Sequence, residues 1–148
     1  DRDRNAHLIN ACQKFGVKLI LIKAGDFLPS VLSCISPSKQ KKRIHLVYGI
    51  GGFEEGVLSA VAAKALGAVA EGRGWSGDSR IAQKYKQVWK IDDLVAGKKE
   101  DCLVSISAIT DDNKWLNLSG VVEKDGGHEV TTLTVDTNGV NINTKIHH

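Results

Sequence analysis

Apolar residues at Leu8, Ile9, Cys12 and Phe15 recur at helical spacing, and Gly16 follows where a helix end favours a left-handed residue. This predicts a helix over 5–15. The run from Val17 to Ile22 is apolar at five of six positions. Continuous apolar runs suit strands buried on both faces of a parallel sheet. Gly25 then turns the chain, and Asp26 stands where a helix over 27–36 would take its cap, with Pro29 in the first turn. A second apolar run, 44–48, predicts another strand. It is followed by a glycine turn and a helix over 53–66 rich in small residues, a composition that allows close packing on a sheet.

Beyond Gly67 the pattern changes. Residues 68–70 read as a short strand, 72–78 as a glycine-rich loop, 79–88 as a modest helix and 91–95 as a shorter one. Residues 102–109 and 116–122 read as strands around a turn at 110–113. Two alternating runs, 130–136 and 140–146, flank Asn138-Gly139, the strongest short hairpin signal. The order predicts an α/β layer with parallel pairing in the first half, an antiparallel hairpin at the end, and one domain over 1–148 with no internal repeat.

Composition narrows the function classes. With 42% hydrophobic and 25% charged residues in a chain of 148, a core can be buried. Twenty basic and seventeen acidic residues leave a net charge of +3, too balanced to point to nucleic acid. Cys12, Cys34 and Cys102 lack disulfide or zinc spacing and read as reduced, buried thiols of a cytoplasmic protein. No apolar run approaches the ~18 residues of a membrane span. The sequence has no methionine and starts at Asp1, which we read as a piece of a longer chain.

The chemistry concentrates in Tyr48-Gly-Ile-Gly-Gly52. Three glycines entering a helix aim backbone N–H groups and the positive dipole end at one point, which suits phosphate. No Gly-Lys-Ser/Thr follows, so this is not a P-loop. Gly49-Ile-Gly51 opens a dinucleotide fingerprint, but its sixth position is Glu54, where close packing needs a small residue. Glu54 and Glu55 suit the helix dipole, yet they would repel a phosphate. A divalent cation between carboxylate and phosphate reconciles the signs. Arg2 and Arg4 precede the first helix and suit phosphate oxygens, or they are a solvated terminus. Asp26 is either a cap or a ligand group. The basic run 39–43 reads as a solvated loop.

Taken together, Arg-then-helix, the apolar run, Gly25-Asp26, Ser33-Cys34, Tyr48-Gly-Ile-Gly-Gly52, Glu55-Gly-Val57 and Ser59-Ala60 resemble the second half of class II, bacterial-type fructose-1,6-bisphosphatases, some of which also hydrolyse sedoheptulose-1,7-bisphosphate. The resemblance continues through 107–111 and 130–133. It implies a layered α/β sandwich of the lithium-sensitive phosphatase type and a sugar bisphosphate substrate losing its 1-phosphate. It further implies Mg²⁺ or Mn²⁺, a homo-oligomer, and no nucleic-acid or membrane partner. Glu55 corresponds to a metal ligand and Gly52 to a substrate contact. Arg2, Asp3 and Arg4 match a Lys-Pro-Arg segment, and Ala24, Gly25 and Asp26 an Asp-Gly-Asp segment. Ala24, Asp3 and Phe53-Glu54 depart from that pattern. The family's remaining metal carboxylates and its catalytic threonine region lie in an N-terminal half absent from this sequence. No catalytic residue is therefore assigned, and the chain alone is expected to be inactive. Two alternatives are a divergent, non-catalytic phosphosugar-binding or regulatory protein and a nucleotide-binding α/β module.

Overall fold

A computed structural model describes residues 3–23, 25–35 and 44–148. A 3₁₀ turn at Asp3–Asn5 leads into α1 (Ala6–Lys14), then α2 (Phe27–Cys34) and α3 (Phe53–Ala65). Gly16, Gly25 and Gly67 all take positive φ, as residues ending helices and turning the chain must. β1 (Glu71–Arg73) follows, then α4 (Ser79–Ala82), β2 (Val88–Lys90) and α5 (Ile91–Leu94). The chain ends in four strands: β3 (Val104–Ser107), β4 (Val122–Lys124), β5 (Gly127–Asp136) and β6 (Gly139–His147).

The predicted hairpin forms: β5 and β6 pair in register from Asp136↔Gly139 to His128↔His147. β5 is the centre of the larger sheet. β6 lies along one edge, while β3 pairs with 132–135 and β4 with 127–129 on the other. Alternate β5 residues Thr131, Leu133 and Val135 are buried, so one face meets the helices. That face receives α3 through Ala60, Ala62 and Ala65, together with Val31 of α2, Val95, Cys102, Val104 and Leu118. The alanines allow the helix axis to approach the sheet closely, as their run in the sequence suggests.

Several expectations are corrected. Pairing is antiparallel in every ladder among the described residues, including the β1–β2 ribbon, so the mixed α/β fold carries no parallel layer there. Residues 17–22 and 44–48 form no strand, and their side chains are not buried on two faces: Val17 is 53% exposed, Ile20 50% and Leu46 80%. Leu19, Ile22, Ile44 and Val47 are partly buried, while the other apolar residues of the two runs stay exposed. Residues 68–70 likewise stay irregular, and the strand begins at Glu71. The expected strand 116–122 starts later, at Val122, because the turn preceding it extends to Leu116 and closes on an Asp112↔Leu118 bridge. All three cysteines are free, but only Cys102 is buried; Cys12 and Cys34 are half-buried. Burial pushes the Cys34 thiol up, against a lowering hydrogen bond from Ser33. Among the described residues no helix is long and apolar enough to cross a membrane.

Candidate functional site

The glycine loop, Gly25-Asp26 and Arg4 meet. Arg4, Asn5, Lys23, Gly25, Asp26 and Glu55, with residues 48–51, line an open cavity of about 190 Å³. Arg4 is placed by the 3₁₀ turn ahead of α1, and its Nη2 donates to the carbonyl oxygen of Ile50, tying the start of the chain to the loop. A guanidinium carries five donors, so this bond leaves others for an anion.

Asp26 occupies the N-cap position of α2, but its carboxylate makes no cap bond. Its Oδ2 instead stands 3.3 Å from the place a Cβ on Gly49 would take and 3.5 Å from that on Gly51. Glu55 Oε2 lies 2.7 Å from the same Gly51 position. The two carboxylates therefore converge over Gly51, in the space its missing side chain leaves open. Glu55 reaches there by folding back on its own helix, where Oε2 accepts a 3.0 Å hydrogen bond from the backbone N–H of Gly52. This is half of a capping box, the half that glycine permits. The N–H groups of Phe53, Glu54 and Glu55 have no intrahelical acceptor and form the positive end of α3.

Of the expected substrate residues, Arg4, Gly25 and Asp26 line the cavity; Gly52 adjoins it through Glu55. Asp3 is exposed and lies outside it. Arg2, Ala24 and the run 39–43 fall outside the described residues. Lys23 and Asn5 line the cavity and were not singled out by the sequence, although Lys23 directly precedes one of the two turns that were; Tyr48, which opens the other, lines it too. Asn5 has a more specific mark: its Oδ1 is buried and, among the described residues, without a hydrogen-bond partner. An orphaned acceptor beside two carboxylates is suited to a donor or a cation.

A divalent Mg²⁺ or Mn²⁺ prefers about six oxygens. Asp26, Glu55 and Asn5 Oδ1 offer part of such a set. Among the described residues no group of three or more His, Cys, Asp or Glu side chains is arranged to hold a metal. The donors have the right chemistry, and their number is insufficient for a closed site.

Comparison with known proteins bears out the family resemblance. A family model described as bacterial fructose-1,6-bisphosphatase, glpX-encoded, matches residues 1–147. The chain is 28% identical over 155 residues to fructose-1,6-bisphosphatase 2 class 2 of Escherichia coli, covering 91% of this chain and 46% of that protein. It is 29% identical over 158 residues to a Synechococcus D-fructose 1,6-bisphosphatase class 2/sedoheptulose 1,7-bisphosphatase, covering 93% and 43%. A shorter match, 36% identical over 72 residues, is to fructose-1,6-bisphosphatase 1 class 2 of Escherichia coli, covering 49% and 20%. The chain thus spans less than half the length of these relatives.

Proposed function

Because the chain belongs to the family of bacterial, glpX-encoded fructose-1,6-bisphosphatases, we propose that it is the C-terminal half of a metal-dependent sugar bisphosphatase. In that reading it folds as part of a layered α/β sandwich and removes the 1-phosphate of fructose-1,6-bisphosphate, or of the seven-carbon analogue named for the Synechococcus relative. The observation that carries it is the convergence of Arg4, Asp26 and Glu55 on the glycine loop.

The roles follow from charge and geometry. Arg4 and the first-turn N–H groups of α3 hold phosphate oxygens and stabilise the charge that grows on them during attack. Gly51 and Gly52 keep the loop bare, so the phosphate can approach the backbone. Asp26 accepts a sugar hydroxyl and fixes the ring. Glu55, with the neighbouring Asn5 Oδ1, would give oxygens to a Mg²⁺ or Mn²⁺ ion, and further ligands would come from outside the described residues. When bound, such an ion activates water and neutralises phosphate charge.

Phosphate release from fructose-1,6-bisphosphate with Mg²⁺ or Mn²⁺, measured on the polypeptide that carries both halves, tests the reading. Glu55→Ala is expected to lower kcat/KM by about 10²-fold or more, the scale for removing a group that stabilises the transition state. Wild-type rates retained by Glu55→Ala would remove it from the metal site. A second reading, a non-catalytic phosphosugar binder, rests on Ala24 and Asp3, which stand where the resembled pattern has Asp and Pro. Sugar-phosphate binding without turnover in the two-half polypeptide would select it.

A further inference from the structure

The connection from β1 to β2 folds back on itself and forms a second cavity, which shares no residue with the one around the glycine loop. Arg73 ends β1 opposite Val88 of β2, and Gly74 and Trp75 follow it. Tyr85 and Lys86 return from a 3₁₀ turn at Gln83–Tyr85. These residues line an open space of about 270 Å³. Two aromatic side chains lie against bare backbone there. A Cβ on Gly74 would stand 2.6 Å from Tyr85 Cβ and 2.7 Å from its Cγ, so a glycine is what lets that side chain come so close. The far edge of the Trp75 indole comes 3.8 Å from the place of a Cβ on Gly77. Both aromatic residues keep about half of their surface in water, 51% for Trp75 and 46% for Tyr85.

The charge of this cavity is one-sided. Arg73 and Lys86 line it, and no carboxylate does. Neither cation is in an ion pair among the described residues. Asp78, the one acid between them in sequence, is taken by Arg80 at 3.0 Å. The glycine-loop cavity sets two carboxylates beside its cations, which suits a metal; this one suits an anion directly. Flat side chains beside unpaired cations bind a flat ring that carries negative charge: the ring stacks, while guanidinium and ammonium hold its oxygens. Inorganic phosphate would leave the aromatic faces unused, and an uncharged ring would leave the cations unused. We infer that this cavity binds a nucleoside monophosphate, with the base against Trp75 and Tyr85 and the phosphate on Arg73 and Lys86. It needs no residue of the glycine-loop cavity and no metal, so it holds whether or not the bisphosphatase reading does.

Calorimetric titration with adenosine monophosphate, adenosine and inorganic phosphate tests this on the polypeptide that carries both halves. The nucleotide should bind about tenfold or more tightly than either of its parts. Trp75→Ala should weaken it by about 5- to 150-fold, the range for removing one stacked base, and leave phosphate affinity unchanged. Arg73→Gln should weaken nucleotide and phosphate but not adenosine, which keeps the test decisive if Trp75→Ala fails to fold. Nucleotide and phosphate binding equally would reduce the cavity to an adventitious ion only and overturn the inference. Nucleotide binding that is lost in Arg4→Gln and kept in Trp75→Ala would move the ligand to the glycine loop and overturn it too. An oligoadenylate strand that binds more tightly per site than the mononucleotide would assign the surface to nucleic acid instead. None of these failures touches phosphate release from fructose-1,6-bisphosphate, so the two readings fall separately.

Discussion

Single residues in this chain are controlled by what their neighbours leave open. A Cβ on Gly51 would meet the carboxylate ends of Glu55 and Asp26, whereas one on Gly120 would stand 2.8 Å from the Ile109 carbonyl oxygen and the Thr110 Cα. Backbone cannot step aside as a carboxylate can. Gly120→Ala should therefore destabilise by about 1–3 kcal/mol and Gly51→Ala by much less, while Gly51→Ala displaces the Glu55 carboxylate. Urea melts of the two variants check the difference. Asp112 is the most engaged carboxylate, accepting from the backbone N–H groups of Lys114, Trp115 and Leu116. Burial raises its pKa, but the backbone donors of Leu116, Trp115, Lys114 and Asn117 outweigh it and hold the carboxyl below its ordinary value. A lowered folded-state value means stabilisation that is full above the unfolded pKa of about 3.9 and fades as pH falls through the folded one. Asp112→Asn should thus cost stability at pH 7 and progressively less as pH falls below about 4, where the unfolded chain's carboxyl takes up a proton before the folded one does. The sequence marked this stretch as a turn; both of its aspartates accept from the backbone, Asp112 within the turn and Asp111 from the Gly120 N–H at 2.8 Å.

At the scale of elements, one device recurs. Glu55, Asp93 and Asp101 each reach back to the N–H three residues earlier, on Gly52, Lys90 and Lys98, at 3.0, 2.9 and 3.0 Å. An acid in the first helical turn is therefore routine here, and only Glu55 also lines the cavity. Asp93→Asn and Glu55→Gln keep an accepting oxygen and lose the charge, so each should cost about 0.3–1 kcal/mol in melts, but only Glu55→Gln should weaken Mn²⁺ binding, measured by calorimetry on the two-half polypeptide. Lys64 joins α3 to α5. Almost buried, it donates 2.6 Å to the Val95 carbonyl and meets Asp92 at 2.9 Å. Lys64→Met keeps the stem's packing but leaves that carbonyl unmet, so a loss of about 1–3 kcal/mol is expected. Asp92→Asn, at an 83% exposed partner, should cost under about 1 kcal/mol. Helices and the hairpin were legible because local spacing and turn residues specify them. The runs 17–22 and 44–48 were legible as apolar but not as strands of this chain, since a strand needs a neighbour that composition cannot name.

For the whole molecule, the glycine loop and its arginine and aspartate partners could be read in advance because each lies at the end of an apolar run or the start of a helix. Asn5 and Lys23 could not: their place at the cavity depends on how the first turn folds back on residue 50. The sheet carries a different consequence, one of order in time. β5 holds β6 through a two-residue turn, while β3 must find 132–135 from 25 or more positions away. Hairpins close in about 1–10 μs, and distant pairings bear a larger loop-closure cost. The β5–β6 ribbon is then the natural template on which β3, β4 and α3 assemble. Gly139, at φ +123°, sits at its hinge, so Gly139→Ala should chiefly slow refolding. Val104→Ala, in the strand that docks later, should chiefly speed unfolding. Stopped-flow chevrons of the two variants would separate those arms, and the reverse partition would place the nucleus in the helical half.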